Sequence, residues 1–151
     1  MSTTLSSVDV SAIAEGLAAV SVPWDLGVVA PPASRRYERI LATEAYDAWL
    51  IYWPPGTGVE VHDHGESVGA FTVVSGALDE EVVINGTPVG NTIHAGESLF
   101  LPSRHVHAVR NRGETSATSV HVYSPPLRSM GFYRADDEGR LVLERIEEAN
   151  E

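Results

Sequence analysis

GTGVEVHDHGESVGAFTVVSG, residues 56–76, decides how the rest of the chain is read. From Val59 to His64 apolar and polar residues alternate, as they do in a half-buried strand. Successive side chains of a strand point to opposite faces, so His62 and His64 project together while Asp63 faces the other way. Two imidazoles on one face suit a divalent metal ion. Taken alone they equally suit two surface histidines. A second strand-like run, GAFTVVS at 69–75, ends on the turn pair Ser75-Gly76.

The same texture extends in both directions. YERILA (37–42), YDAWLIYW (46–53), EEVVI (80–84), ESLFLP (97–102), HAVRN (107–111) and TSVHVYS (118–124) read as strands. Pro54-Pro55-Gly56, Asn85-Gly86 and Arg112-Gly113 supply further turns. Many short strands with tight turns predict an all-β closed barrel or sandwich. Ahead of them, Leu5, Val8, Ile13, Leu17 and Val20 recur at helical spacing behind the capping candidates Ser6 and Ser7. This predicts an N-terminal helix within residues 1–22, after which Pro23, Pro31 and Pro32 break the chain. The acidic tail, residues 135–151, reads as solvated surface, with RLVLERI (140–146) as a last strand or short helix. No repeat or linker divides the chain, so residues 1–151 are expected to form one domain.

With 151 residues the chain can bury a full core without disulfides. It has no cysteine, which excludes disulfides, Cys-type metal sites and thiol catalysis by the protein itself. Its formal net charge of -11 argues against nucleic acid and anionic membranes as partners. No apolar run is long enough to span a bilayer and no signal-like segment opens the chain, so a cytoplasmic protein is expected.

The pattern Gly56-x5-His62-x-His64-x4-Gly69-x6-Gly76 resembles the first motif of the cupin barrels, with Gly69 where the family usually has Glu. The second cupin motif is matched by Gly96-x5-Pro102-x4-His107-x3-Asn111, with Arg104 in place of its second glycine. The resemblance implies a jelly-roll-like β-barrel in which His107 joins His62 and His64 as metal ligands. The missing carboxylate at Gly69 makes this a site of three neutral imidazoles with an open face. His94 and His105 fall outside the motif positions and are expected to be exposed.

From about Arg36 to Met130 the chain resembles the cysteine dioxygenases more narrowly. Ser119-Val120-His121-Val122-Tyr123-Ser124-Pro125-Pro126 is similar to that family's Ser-His-Tyr relay, with its cis Ser-Pro bond, beside the iron. Alternation puts Ser119, His121 and Tyr123 on one strand face, as a relay requires. Tyr37-Glu38-Arg39 is similar to the family's substrate-binding pair, in which the arginine holds the substrate carboxylate and the tyrosine assists. A guanidinium makes two parallel charge-assisted bonds to a carboxylate. Arg35 and Arg36 read as surface residues. A branch acting on 3-mercaptopropionate carries Gln where this chain has Arg39, so Arg39 favours an amino-acid thiol. Gly69 is the residue usual in bacterial members, whereas animal members have there a cysteine linked to the tyrosine.

The resemblance implies an Fe(2+) enzyme that oxidises L-cysteine with O2 to cysteine sulfinic acid, as a monomer or weak homo-oligomer. Alternatives within the same chemistry are dioxygenation of 3-mercaptopropionate or mercaptosuccinate. Outside it stands a cupin metal isomerase or sugar-binding module, which would leave Ser119, His121, Tyr123, Tyr37 and Arg39 without a role.

Overall fold

In the computed structural model, residues 4–26 and 32–149 are described. The break expected at Pro31 and the final Asn150 and Glu151 of the tail lie outside them. The elements are α1 (Ser7–Val20), β1 (Arg36–Ala42), β2 (Asp47–Trp53), β3 (Gly58–His62), β4 (Val68–Ser75), β5 (Ala77–Ile84), β6 (Thr87–His94), β7 (Ser98–Leu101), β8 (His107–Arg110), β9 (Ala117–Ser124), β10 (Ser129–Ala135) and β11 (Leu141–Glu148). They form two antiparallel sheets, one ordered β1-β2-β9-β4-β7 and the other β11-β10-β3-β8-β5-β6. Side chains from both sheets, among them Trp49, Trp53, Phe71, Leu78, Ile93 and Val109, meet in one interior cluster. This is the expected all-β barrel with one N-terminal helix. Among the described residues no helix is long and apolar enough to cross a membrane.

The helix starts where Ser6 caps it: the Ser6 hydroxyl accepts from the Asp9 amide, and the Asp9 carboxylate accepts in return from the Ser6 amide. Its packed stripe differs from the expected one. Val10 and Ala14 are fully buried with Ile13, Leu17 and Ala18 around them, whereas Val8 and Val20 are exposed. Small side chains let the helix lie close against Ala48, Ala70, Val120 and Val122 on the outer face of the first sheet. This explains why β9 is buried along its whole length. Val120 and Val122 face the helix, leaving Ser119, His121 and Tyr123 for the barrel interior.

Two strands escaped the sequence reading. Strand β6 contains Pro88 and Gly90 and is exposed almost throughout, as suits the edge of its sheet, where a missing amide donor is tolerated. It joins β5 through Asn85 and Gly86, both with positive φ (51° and 78°), the hairpin signal that the sequence did carry. Strand β10 has a glycine at residue 131, where a Cβ would come 3.0 Å from the Asp63 carboxylate and 3.1 Å from Leu143. The acidic tail is exposed along almost its whole length, as expected of solvated surface, and RLVLERI forms part of the last strand, β11. That strand pairs along β10, and Glu147, Glu148 and Ala149 contribute to the lining of the histidine-lined cavity.

Candidate metal centre

The interior cluster is interrupted by a cavity of about 250 Å³ with His62, His64, His107, His121 and Tyr123 in its wall. Strands β3 and β8 bring two of the histidines together by register, since His62 and His107 are directly opposed. The chain leaves β3 immediately after His62, and Asp63 fixes the way it leaves. The Asp63 carboxylate accepts from the Gly65 amide (2.8 Å), the Gly131 amide (3.2 Å) and the Tyr133 hydroxyl. These bonds outweigh the effect of burial and hold the Asp63 carboxyl below its ordinary value. With Asp63 tied outward, His64 turns inward, and its Nε2 comes 3.1 Å from Nε2 of His62.

All three imidazoles are buried and offer one nitrogen each within 4.8 Å of the others. For two of them a hydrogen bond at Nδ1 leaves Nε2 facing inward as an acceptor. His62 donates through Nδ1 to the Glu60 carbonyl (2.6 Å), and His107 donates through Nδ1 to the Glu80 carboxylate (2.8 Å). Each Nε2 is therefore left with a lone pair aimed at the others. Nε2 of His107 is buried without a protein partner among the described residues. A separation of 3.1 Å is close to that of two nitrogens bound at about 2.0–2.1 Å to one ion at roughly tetrahedral angles. Burial, with the neighbouring His107 and Arg35 also acting, pushes His62 down to about 3. It likewise takes His64 well below its ordinary value, and it lowers His107 despite the opposing Glu80. The rings are thus neutral, the protonation state that binds metals. The donor set fits a single divalent ion.

Glu80 was not singled out in the sequence. It accepts from both His107 and His105, the latter at 2.9 Å, so His105 is half-buried instead of exposed, while His94 is exposed as expected. Burial raises the Glu80 carboxyl, but the two histidine bonds outweigh it and bring it to about 2. The available signal was a carboxylate two residues from the core residue Leu78 on the inward face of a strand. Carboxylates behind metal-ligating histidines fix ring orientation. Glu80→Gln is expected to weaken metal affinity by about 10- to 100-fold with the fold intact. Competition of the protein against a chelator of known affinity measures this.

Opposite the three histidines stands the β9 row. Trp53 Nε1 donates to Ser119 Oγ at 2.8 Å, and Ser119 Oγ lies 2.7 Å from His121 Nε2. Since the serine oxygen already accepts from Trp53, its own proton is best used toward His121 Nε2. That places the histidine proton on Nδ1, which faces the Tyr123 hydroxyl at 3.4 Å. The hydroxyl proton of Tyr123 is then directed away from the row. Burial pushes His121 down to about 3, and burial with Asp47 nearby raises Tyr123, so both stay neutral. Phe71 stacks on the His121 ring at 4.7 Å and keeps it in plane. Trp53 is the member of this row that the sequence reading missed. The Ser124-Pro125 bond at the end of the strand is cis.

Gly69 proves to be a packing requirement. A Cβ there would sit 2.9 Å from Cδ1 of Tyr123 and 3.0 Å from the Val122 carbonyl oxygen. The space of the usual cupin carboxylate is filled by the tyrosine ring. Gly69→Ala is expected to cost about 1–3 kcal/mol, the scale of overpacking a core, read as a shift of the urea midpoint. Arg104, standing where the second motif has glycine, adopts a left-handed φ of 63°.

The expected substrate pair divides. Tyr37 lines the cavity, its ring 6.0 Å from Trp49. Arg39 does not line it. It lies on the exposed β1, opposite Trp49 in register and with its guanidinium 5.8 Å from that ring. The arginine in the cavity wall is Arg35.

A family model for cysteine dioxygenase type I matches residues 5–136. Among solved structures, the TT1209 protein of Thermus thermophilus superposes with a TM-score of 0.56 at 23% identity, over 68% of this chain and 95% of its own. An uncharacterized conserved protein with a double-stranded β-helix domain from Klebsiella pneumoniae gives 0.57 at 20% identity, over 70% and 84%. A recombinant oxalate oxidase in complex with glycolate gives 0.57 at 18%, over 76% and 63%. At these identities the likenesses show a shared fold, the cupin barrel.

Proposed function

The chain belongs to the cysteine dioxygenase type I family, and from that premise we propose that it is an iron-dependent thiol dioxygenase converting L-cysteine and O2 to cysteine sulfinic acid. The observation that carries this reading is the pairing of two groups across one cavity. A buried set of three neutral histidines, His62, His64 and His107, faces the Ser119-His121-Tyr123 row. A generic metal-binding cupin needs only the first of these.

Ferrous iron held by the three histidines would supply a Lewis-acidic centre that lowers the pKa of a coordinated thiol and brings it together with dioxygen. Both oxygen atoms end on sulfur, so thiol plus O2 balances as sulfinic acid with no further reductant. The protein does the rest. Glu80 holds the His107 ring by its far nitrogen, and the Glu60 carbonyl does the same for His62. Tyr123 presents a neutral hydroxyl to the cavity, and its polarity is set by the chain of bonds from Trp53 through Ser119 and His121. Ile51, Val59, Val109 and Phe132 give the cavity apolar walls that exclude bulk water and strengthen every polar contact inside.

The test is anaerobic loading with Fe(II), then oxygen uptake with L-cysteine, 3-mercaptopropionate, mercaptosuccinate and cysteamine, with sulfinate detected by mass. The expected result is uptake stoichiometric with cysteine sulfinate. Absence of uptake with every thiol would sink the dioxygenase reading. Preference for another thiol acid would replace the substrate and keep the chemistry.

A further inference from the structure

We infer that Arg145, on the C-terminal strand, is a positioning residue for the metal ligand His62, an inference that rests on the three-histidine reading of the metal centre.

The strand that carries Arg145 lies beyond the family match, which ends at residue 136. Its place in the sheet nevertheless puts it in line with the site. Arg145, Phe132, His62 and His107 are successive ladder partners across β11, β10, β3 and β8. Two features make His62 depend on what holds its strand from this side. The first is a bulge. Val59 and His62 are three residues apart, yet they oppose Val109 and His107, which are two apart. Both line the cavity, which an unbroken strand does not allow at that spacing. The extra residue taken up at Glu60 and Val61 is thus what aims His62 inward. The second feature is a thin junction. Among the described residues, β10 and β3 share only the Phe132–His62 ladder pair. With so few backbone bonds, side chains have to hold the two strands together.

Arg145 is placed to do so. Its guanidinium lies 4.3 Å from the Phe132 ring and donates to the carboxylates of Glu60 and Glu147. The Phe132 ring lies 6.1 Å from the His62 ring, and the Glu60 carbonyl accepts the His62 Nδ1 proton. One side chain on β11 therefore bears on two neighbours of the His62 ring, the bulge residue that orients it and the aromatic ring beside it. Asp63 ties the same junction from the other side of His62, through Gly131 and Tyr133 of β10. An isolated exposed ion pair contributes little. Here an aromatic face and two carboxylates converge on one planar cation, whose fixed fork suits such bridging.

Co(II) is the probe, because its visible bands report coordination geometry as well as occupancy. Competition against a chelator gives the affinity, and the spectrum at saturating Co(II) gives the geometry. Arg145→Gln is expected to weaken Co(II) binding about 3- to 10-fold and to change the spectrum of the fully loaded protein. That is less than the about 10- to 100-fold typical of groups bonded directly to a ligating histidine, because Arg145 acts one contact further out. Glu60→Gln is expected to do the same from the other end of the contact, with the backbone bond to His62 retained. The double variant should lose little more than the larger single effect. Arg140→Gln breaks the exposed pairs to Asp136 and Glu138 on the same tail and is expected to change neither reading.

Wild-type affinity and spectrum in Arg145→Gln, losses that multiply in the double variant, or equal losses in Arg140→Gln would each overturn the assignment. So would a lower affinity with an unchanged spectrum, the mark of a generally loosened protein. If Arg145→Gln does not fold, Glu60→Gln decides by the same two readings. A wild type that binds no Co(II) would sink the metal centre and this inference with it. A wild type that binds Co(II) in an Arg145-dependent way but, loaded with Fe(II), oxidises no thiol would remove the proposed reaction and leave Arg145 its role.

Discussion

His107→Ala is expected to give a folded protein that retains little metal and takes up no oxygen with any thiol. Nε2 of His107 is a buried nitrogen with no hydrogen-bond partner among the described residues, and it lies within 4.8 Å of nitrogens of His62 and His64. Apparent binding free energies of structural zinc in zinc-finger peptides are on the order of 10–16 kcal/mol, and on that scale one donor in three represents roughly 3–5 kcal/mol. That is about 10²- to 10⁴-fold in affinity. The fold should survive, because β8 is held by backbone pairing to β3 and β5 and the imidazole can be removed without breaking a ladder bond. Metal analysis after dialysis, together with a thermal melt, reads the two effects separately. Full metal occupancy in His107→Ala would remove this residue from the ligand set. The loss should exceed that in Glu80→Gln, where the ring keeps its lone pair and loses only the group that orients it.

Tyr123→Phe is expected to do the opposite: keep the metal and lose the chemistry. The phenyl ring preserves the packing against His64, whose ring centroid lies 4.8 Å away, and it preserves the contact that requires glycine at residue 69. What disappears is one neutral hydroxyl, the end of the row that begins at Trp53. A positioned proton donor contributes about 10²- to 10⁴-fold to a rate, and this is the loss expected in turnover of L-cysteine. Oxygen consumed per sulfinate formed should also rise, since the hydroxyl no longer steadies the reacting groups. Oxygen electrode traces combined with mass detection of sulfinate give both quantities from one experiment. A variant that loses metal would show that the tyrosine supports the ligands, and one with unchanged turnover would remove it from the reaction.

The three-histidine set was legible from the cupin spacing, with His62 and His64 two residues apart and His107 at its place in the second motif. Strand alternation reaches no further than His62, because β3 ends there and the bonds of Asp63 turn His64 inward. Ser119, His121 and Tyr123 were legible from the period of two along one strand. The charged residues around them were not. Alternation says which face a side chain takes, and Arg35, Tyr37 and Arg39 all take the same one. It does not say how far along that face the cavity lies. This depends on the β1–β2 register, set by the turn between the strands, which pairs Arg39 with Trp49 and leaves Arg35 beside Trp53. Glu80 escaped for a related reason: its partners His105 and His107 are more than twenty residues away, and only the β5–β8 pairing brings them within reach.

The sequence by itself determined an all-β barrel or sandwich and a Ser-His-Tyr row on one strand face, because short-range periodicity sets which way each strand side chain points, while the meeting of His107 with His62 and His64 was an expectation from the resemblance to the cupin motifs. Only the tertiary structure decided what fills the remaining space. It put the Tyr123 ring where a Gly69 side chain would stand, brought residues of the acidic β11 into the cavity lining, and left Arg35 as the cation in the wall. Those outcomes follow from strand register and close packing between distant segments, which no local pattern encodes.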